Sequence, residues 1–268
     1  IHQDNLEILE RYGMEVIRPA KGYLACGDTG AGKMPEPEVL LEYILREAAW
    51  EKDLAGKRIL VTAGPTQEAI DPVRYITNHS SGKMGYAIAK RAMLRGADVT
   101  LVSGPVALDP VPFVRTIPVT TAQEMFEAVR DNLAKQDILI KAAAVADYRP
   151  SEVSEEKVKK SDADMSISLE RTQDILGYVA EHRRDDQTIC GFSMETRNML
   201  ENSRKKLEKK KLDMIAANNL KDAGAGFATD TNLLTIITGQ EEKALPLMTK
   251  EDAAHELLSF ILSYRGVL

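Results

Sequence analysis

The chain has 268 residues, 44% apolar and 28% charged, with 35 Lys and Arg against 41 Asp and Glu for a net charge of −6. That balance opposes bulk attraction to nucleic acid or acidic lipid, and no apolar run approaches the roughly 18–20 residues of a membrane span, so neither partner is expected. Two cysteines, Cys26 and Cys190, cannot make a disulfide framework, which points to a reducing, cytoplasmic setting.

The first residues, Ile1-His2-Gln3-Asp4, do not read as a secretory signal, and the start reads as cut from something longer. Asn5 to Tyr12 has helical spacing (Leu6, Leu9, Tyr12) and Gly13 as a stop. Met14–Ile17 reads as a short strand. Residues 22–34 hold four glycines and are expected to be irregular. Pro35 and Pro37 open a second helix, with Val39, Leu40, Tyr43 and Ile44 on its apolar face. A polar stretch follows, which sets a domain boundary after residue 52.

From Lys57 the pattern changes to strands alternating with helices. Arg58–Ala63, Asp98–Ser103, Val114–Pro118, Asp137–Ala143, Thr188–Phe192, Asp213–Ala217 and Asn232–Ile237 read as strands. Gly85–Leu94, Thr121–Leu133, Asp174–Glu181, Thr196–Lys211 and Lys250–Ser263 read as helices. Continuous apolar strands suit a parallel sheet covered on both faces. The alternation predicts an α/β fold, a three-layer, doubly wound, mostly parallel sheet with helices on both faces.

Ligands of such sheets sit beyond the carboxyl ends of the strands. The first strand runs into Thr62-Ala63-Gly64-Pro65-Thr66, which is neither G-x-G-x-x-G nor a Walker A loop and is compatible with a plain tight turn. The polar run Arg74–Gly85 then opens a helix whose N-terminal N–H groups attract an anion, with Ser80 or Ser81 available as a cap. Arg74 offers a planar fork to a carboxylate or phosphate, and Asn78 a donor for a developing oxyanion. Lys83 suits a solvated helix surface as well as a phosphate. His79 reads as a local hydrogen-bonding residue. After the Asp137–Ala143 strand, the small residues Ala142, Ala143 and Ala144 let a flat group lie against the backbone. Asp147 reads as a cap, a ribose ligand or a metal-phosphate ligand, and Lys141 is expected at the strand mouth.

The polar segment 151–160 has the look of a lid that could close over phosphates through Lys157, Lys159 and Lys160, although for any one of these lysines taken alone a solvated charge run is the better reading. Arg204–Lys211 packs six basic residues into eight positions, and Lys206 and Lys210 share a helix face. No Ser-His-Asp set, paired-carboxylate motif or Cys/His metal cluster is evident. The reading is a polyphosphate pocket serving nucleotidyl or phosphoryl transfer, where positioning and charge neutralisation supply the catalysis. A dinucleotide oxidoreductase lacks its glycine fingerprint here. A non-catalytic nucleotide-binding regulator would not explain Arg74, Asn78 and Lys157 together.

Thr62–Thr66, Asp71–Gly85, Lys141–Tyr148, Lys157–Lys160, Gly191-Phe192 and Lys206–Asp213 resemble the phosphopantothenate–cysteine ligase family over about residues 54–268, and the Asp71–Gly85 block is the most specific part. The resemblance implies a Rossmann-like ligase domain from residue 53 on. Residues 1–52 resemble the tail of the flavin-dependent decarboxylase joined to it in bacteria, with Cys26 matching that domain's cysteine. The implied reaction joins 4′-phosphopantothenate and L-cysteine in coenzyme A biosynthesis. CTP is the co-substrate, a phosphopantothenoyl-CMP intermediate forms, and magnesium or manganese accompanies the triphosphate. FMN and decarboxylation belong to the half of the protein not represented in this sequence. By the same resemblance Asn78, Arg74 and Lys157 are catalytic. Lys141, Ala142, Ala143, Asp147, Lys157, Gln173, Asp174, Ile175, Leu176, Phe192, Lys206 and Lys210 meet CTP, while Arg74, Asn78, Ala143 and Ala144 meet the acid or intermediate. A protein metal ligand other than Asp147 is not implied. The family is homodimeric through this domain, within a larger oligomer in the bifunctional protein. Gln173, Met194 and Asn219 depart from the family pattern.

Overall fold

The computed structural model describes residues 2–23, 26–159, 165–195, 198–219, 229–264 and 266. The chain divides into two compact units, Ile1–Glu51 and Lys52–Leu268.

The first unit holds helix His2–Arg11, a hairpin pairing Ala20–Tyr23 with Thr29–Lys33, and helix Pro37–Ala48. No described residue of it is buried. Two expectations are corrected here. Met14–Ile17 forms no strand, and the glycine-rich stretch is not irregular but supplies most of the hairpin. A strand needs a neighbour for its N–H and C=O groups. Residues 14–17 have none, whereas Gly22 and Gly30 face each other in register across the two arms.

The second unit is an eight-stranded sheet. Its strands in chain order are β1 (Arg58–Ala63), β2 (Asp98–Ser103), β3 (Arg115–Pro118), β4 (Ile138–Lys141), β5 (Thr188–Glu195), β6 (Met214–Asn219), β7 (Thr235–Thr238) and β8 (Glu242–Ala244). Across the sheet they run β3-β2-β1-β4-β5-β6-β7-β8. The first six are parallel, and β7 and β8 are antiparallel additions. Its helices are α1 (Lys83–Leu94), α2 (Ala122–Leu133), α3 (Ile175–His182), α4 (Met199–Lys209) and α5 (Lys250–Tyr264).

Alternation along each strand sorts the core into two layers. Leu60, Leu139, Ile189, Ile215 and Ile237 join Met125, Val129, Leu176, Val179 and Leu207 from α2, α3 and α4 in one cluster. Ile59, Val61, Leu101 and Ile140 are equally buried on the alternate positions, and α1 and α5 pack on each other. Each such side chain contributes about 1.5–3 kcal/mol by leaving water. That burial on both faces is why the strands read as unbroken apolar runs.

Strand order reverses between β1 and β4, because β2 and β3 lie outward from β1 while β5 and β6 lie outward from β4. A crevice opens at such a reversal, beyond the strand C-termini. Gly85 keeps α1 tight against it, since a Cβ there would sit 2.5 Å from the Ala63 Cβ.

Candidate functional site

Two turns build the crevice floor, and threonine hydroxyls fasten them together. The turn after β1 and the turn after β4 meet in a bridge between Pro65 and Ala144. The Ala144 N–H donates to the Gly64 carbonyl at 2.9 Å, and the Thr66 N–H to the Ala144 carbonyl at 3.3 Å. Buried Thr62 accepts from the Ala143 N–H through Oγ1 at 3.2 Å, and buried Thr66 from the Ala146 N–H at 3.0 Å. The strand expected to reach Ala143 therefore ends at Lys141, because the backbone beyond it turns to pair with the first loop.

Above this floor lie two adjoining chambers. The first, of about 350 Å³, is lined by Gln173, Asp174, Ile175, Leu176 and Lys210, with Ala146 and Tyr148. The second, of about 260 Å³, is lined by Asn78, the start of α1 from Gly82 to Gly85, Ala142–Ala144 and Phe192. Lys141, Val145, Asp147 and Lys206 line both. Lys141, the last residue of β4, stands where the chambers join.

The N-cap of α1 is Gly82, at φ +79°, where the left-handed backbone needs a glycine. Ser80 Oγ accepts from the Gly82 N–H at 3.4 Å. The first turn of α1, from Gly82 to Gly85, borders the second chamber, and a helix N-terminus there favours an anion. Asn78 Nδ2 donates to the Ala144 carbonyl at 2.9 Å, which fixes the amide at the chamber edge. An amide nitrogen has a second N–H, so one donor remains for an oxygen in the cleft.

Cations dominate both chambers. Lys206 Nζ donates to the Phe192 carbonyl at 2.8 Å, so that acceptor is already engaged. Lys210 pairs with Asp174, whose carboxylate also caps α3 by accepting from the Gly177 N–H at 3.0 Å. Burial alone would raise the Asp174 carboxyl, but Lys210 and the cap hold it below its usual range. Lys83 reaches Asp230 at 2.6 Å. Desolvation first, then the neighbouring Lys206, push the Lys141 ammonium down to about 8. Lys206 is lowered by burial, and Lys250 by burial and by Lys83. Buried like charges of this kind are relieved by an anionic ligand.

Lys250 and Asn232 went unseen as site residues in the sequence, yet both are buried and, with Asn218, line the second chamber. They follow no spacing rule: the pairing of Thr231–Asn232 with Met248–Thr249 brings Asn232 beside the start of α5, and Asn218 Nδ2 donates to Asn232 Oδ1 at 3.2 Å. Thr62 and Thr66 lie in a segment that the resemblance includes, but their hydroxyl bonds to the second turn were not foreseen.

Three expected residues stay outside the chambers. The Arg74 guanidinium is bound to Asp71 and, through Nη2 at 2.7 Å, to the Val158 carbonyl, and it lines neither chamber. Lys157 is exposed and lines neither. Cys26 lies exposed in the first unit. Lys160 and the side chain of Asn219 are outside the described residues, and Met194 lines the second chamber. Among the described residues no three His, Cys, Asp or Glu side chains gather as a metal site, and no helix is long and apolar enough to cross a membrane.

Residues 54–264 match the family described as DNA/pantothenate metabolism flavoprotein, C-terminal domain. The chain is 47% identical over 266 residues to the coenzyme A biosynthesis bifunctional protein CoaBC of Vibrio vulnificus, covering 98% of this chain and 66% of that protein. It thus spans about two thirds of the length of that curated relative. The crystal structure of a CoaBC C-terminal domain is 47% identical with a TM-score of 0.67, covering 79% of this chain and 96% of the other. A DNA/pantothenate metabolism flavoprotein from Streptococcus pneumoniae is 27% identical with a TM-score of 0.68, covering 78% and 100%.

Proposed function

The chain belongs to the DNA/pantothenate metabolism flavoprotein C-terminal domain family, and from that premise we propose that it ligates 4′-phosphopantothenate to L-cysteine at the expense of CTP. The observation carrying this reading is the pair of joined chambers lined by Lys83, Lys141, Lys206, Lys210 and Lys250 in a chain of net charge −6. Two anionic substrates that must meet at one phosphorus need such a shape.

In this reading CTP occupies the first chamber, its phosphates against Lys206 and Lys210. The acid occupies the second, its own phosphate toward the start of α1, Lys83 and Lys250. A carboxylate oxygen of the acid attacks the α-phosphorus, the bond to the β-phosphate oxygen breaks, and pyrophosphate leaves. The cysteine amine then attacks the acyl carbon of the mixed anhydride, loses a proton, and expels CMP as the amide forms. Lys141 and Lys206, shared by both chambers, face the oxygens that gain charge at the junction. Asn78 serves the acyl oxygen. Asp147 and the triphosphate oxygens form a hard donor set that suits magnesium or manganese, which would neutralise phosphate charge.

The ligase unit is read as a homodimer. Supporting this, the hairpins Gln67–Ala69/Tyr75–Thr77 and Tyr148–Pro150/Leu169–Arg171 pack together and leave Val73, Tyr75, Tyr148, Val153 and Leu169 exposed. The first unit, with no buried described residue, is read as the tail of a decarboxylase domain, and no FMN-dependent step is assigned to this chain.

The deciding experiment supplies CTP, 4′-phosphopantothenate, cysteine and magnesium and follows pyrophosphate and amide. Amide is expected only when all components are present. Pyrophosphate release that ignores the acid would refute the reading.

A pH dependence follows from Lys141. Its ammonium is charged below about 8 and neutral above it. CTP affinity is therefore expected to weaken by about tenfold per pH unit above that point. Calorimetric titration of the parent and of Lys141→Met checks this: the variant should bind more weakly at pH 7 and show a flatter profile up to pH 9.

A further inference from the structure

Asp71 is a buried carboxylate that lines neither chamber, yet it accepts five hydrogen bonds at the base of the polar flap. Its side chain is 0% exposed. Oδ1 accepts from the backbone N–H groups of Val73 at 2.8 Å and Arg74 at 2.9 Å. Oδ2 accepts from Arg74 Nε at 3.1 Å and Nη2 at 2.6 Å, and from the Val158 N–H at 3.1 Å. Arg74 Nη2 also donates to the Val158 carbonyl at 2.7 Å. One residue of the flap is thus held at both its N–H and its C=O by a single ion pair. A second tie lies four residues earlier, where the Ser154 N–H donates to the Ile70 carbonyl at 3.0 Å.

The span between the two ties contains Lys157. Two fixed points on a chain this short leave its backbone little freedom, so the turn at 70–74 dictates where the Lys157 stem begins. A charged acceptor with several donors is the strong version of such a tie. Desolvation opposes the Asp71 charge, but the Arg74 bonds and the three backbone N–H groups outweigh it and keep the carboxyl far below its usual range. The clasp therefore stays ionised throughout the working pH range.

We propose that Asp71 is a positioning residue, whose ion pair with Arg74 clasps Val158 and sets the place from which Lys157 acts on the triphosphate. The proposal deepens the ligase reading and rests on it for the identity of the ligand. It also gives Arg74 a duty in the free protein: holding the flap.

The test uses the full chain with Asp71→Asn and, separately, Arg74→Lys. Asparagine keeps a neutral acceptor for the turn but presents an amide, with no charge, to the guanidinium. Lysine keeps the charge but cannot bond Asp71 and Val158 with a planar fork. Two readouts are taken. Limited trypsin cleavage after Lys157 and Lys159, without ligand, reports the clasp alone. The rate of cytidylate formation at saturating CTP, set beside the calorimetric CTP affinity, reports positioning. Asp71→Asn is expected to speed flap cleavage by about tenfold and slow cytidylate formation by about tenfold or more, with CTP affinity within about threefold. Arg74→Lys is expected to fall between parent and Asp71→Asn in cleavage. Flap cleavage at the parental rate in Arg74→Lys and in folded Asp71→Asn overturns the clasp. Faster cleavage with an unchanged cytidylate rate overturns the positioning role. Should Asp71→Asn fail to fold, Arg74→Lys decides both points. If the parent makes no cytidylate, the ligase reading fails while the cleavage arm still judges the clasp.

Discussion

Asn78→Ala is expected to leave CTP affinity within about twofold and to cut amide formation by about 10²–10³-fold, the size seen when one donor to a developing oxyanion is removed. The expectation rests on how the amide is held. One N–H of Asn78 is committed to the Ala144 carbonyl at 2.9 Å, and Ala144 is itself locked to Gly64. The other N–H is therefore aimed by the floor of the cleft and needs no reorganisation when charge develops. Asn78 lines the second chamber and not the first, which is why the nucleotide should scarcely notice its loss. The side chain is exposed, so folding should lose no more than about 1 kcal/mol with the hydrogen bond to Ala144. The check is paired: calorimetry with CTP, and amide yield by mass spectrometry under single turnover. Parental amide formation in the variant would remove Asn78 from the chemistry. A matching loss of CTP affinity would instead move it into nucleotide binding.

The sheet was legible where a strand is apolar on both faces and stops at a change of residue type. Arg58–Ala63 and Asp98–Ser103 have the bounds read from their residues. Boundaries drifted where a partner decides them. Strand β5 runs on to Glu195 because Glu195 stays in register with Asn219, which no property of the segment itself reveals. The helix read over 196–211 begins at Met199, behind Asn198 at φ +50°. The lining of the first chamber was legible because its parts are near in sequence or share a helix face: Gln173–Leu176 at the start of α3, and Lys206 with Lys210 at the end of α4. The second chamber was legible in part: Asn78, Ala142–Ala144 and Phe192 were read from the sequence and line it. Lys250 and Asn232 were not, because they come from elements that meet only in the folded chain, and Lys250 carries no local mark of being buried. The Arg74 fork, matched to a ligand from the sequence, is held by Asp71, three positions earlier, a partner that the residue types alone did not announce.

Lys157→Gln is the second large effect, and it separates the two half-reactions. Lys157 is exposed and outside both chambers, while the neighbouring Val158 is fastened to Asp71 and Arg74. In the proposed reaction its ammonium, exposed in the free chain, would reach the triphosphate by a swing of its flexible stem. A charge delivered in this way contributes little to ground-state binding and most where the phosphates carry the greatest charge, in the step that expels pyrophosphate. Cytidylate formation is expected to slow by about 10²-fold or more, with CTP affinity within about threefold. The second step ends with CMP, not pyrophosphate, as the leaving group, so it does not need that cation. Supplied with preformed phosphopantothenoyl-CMP and cysteine, Lys157→Gln should make amide within about threefold of the parental rate, whereas Asn78→Ala should not. Rapid-quench analysis of both variants on both substrates gives the four rates. Equal slowing of the two steps by Lys157→Gln would place its charge at the acyl group. Unchanged cytidylate formation would leave the neutralisation to Lys141, Lys206 and Lys210 alone.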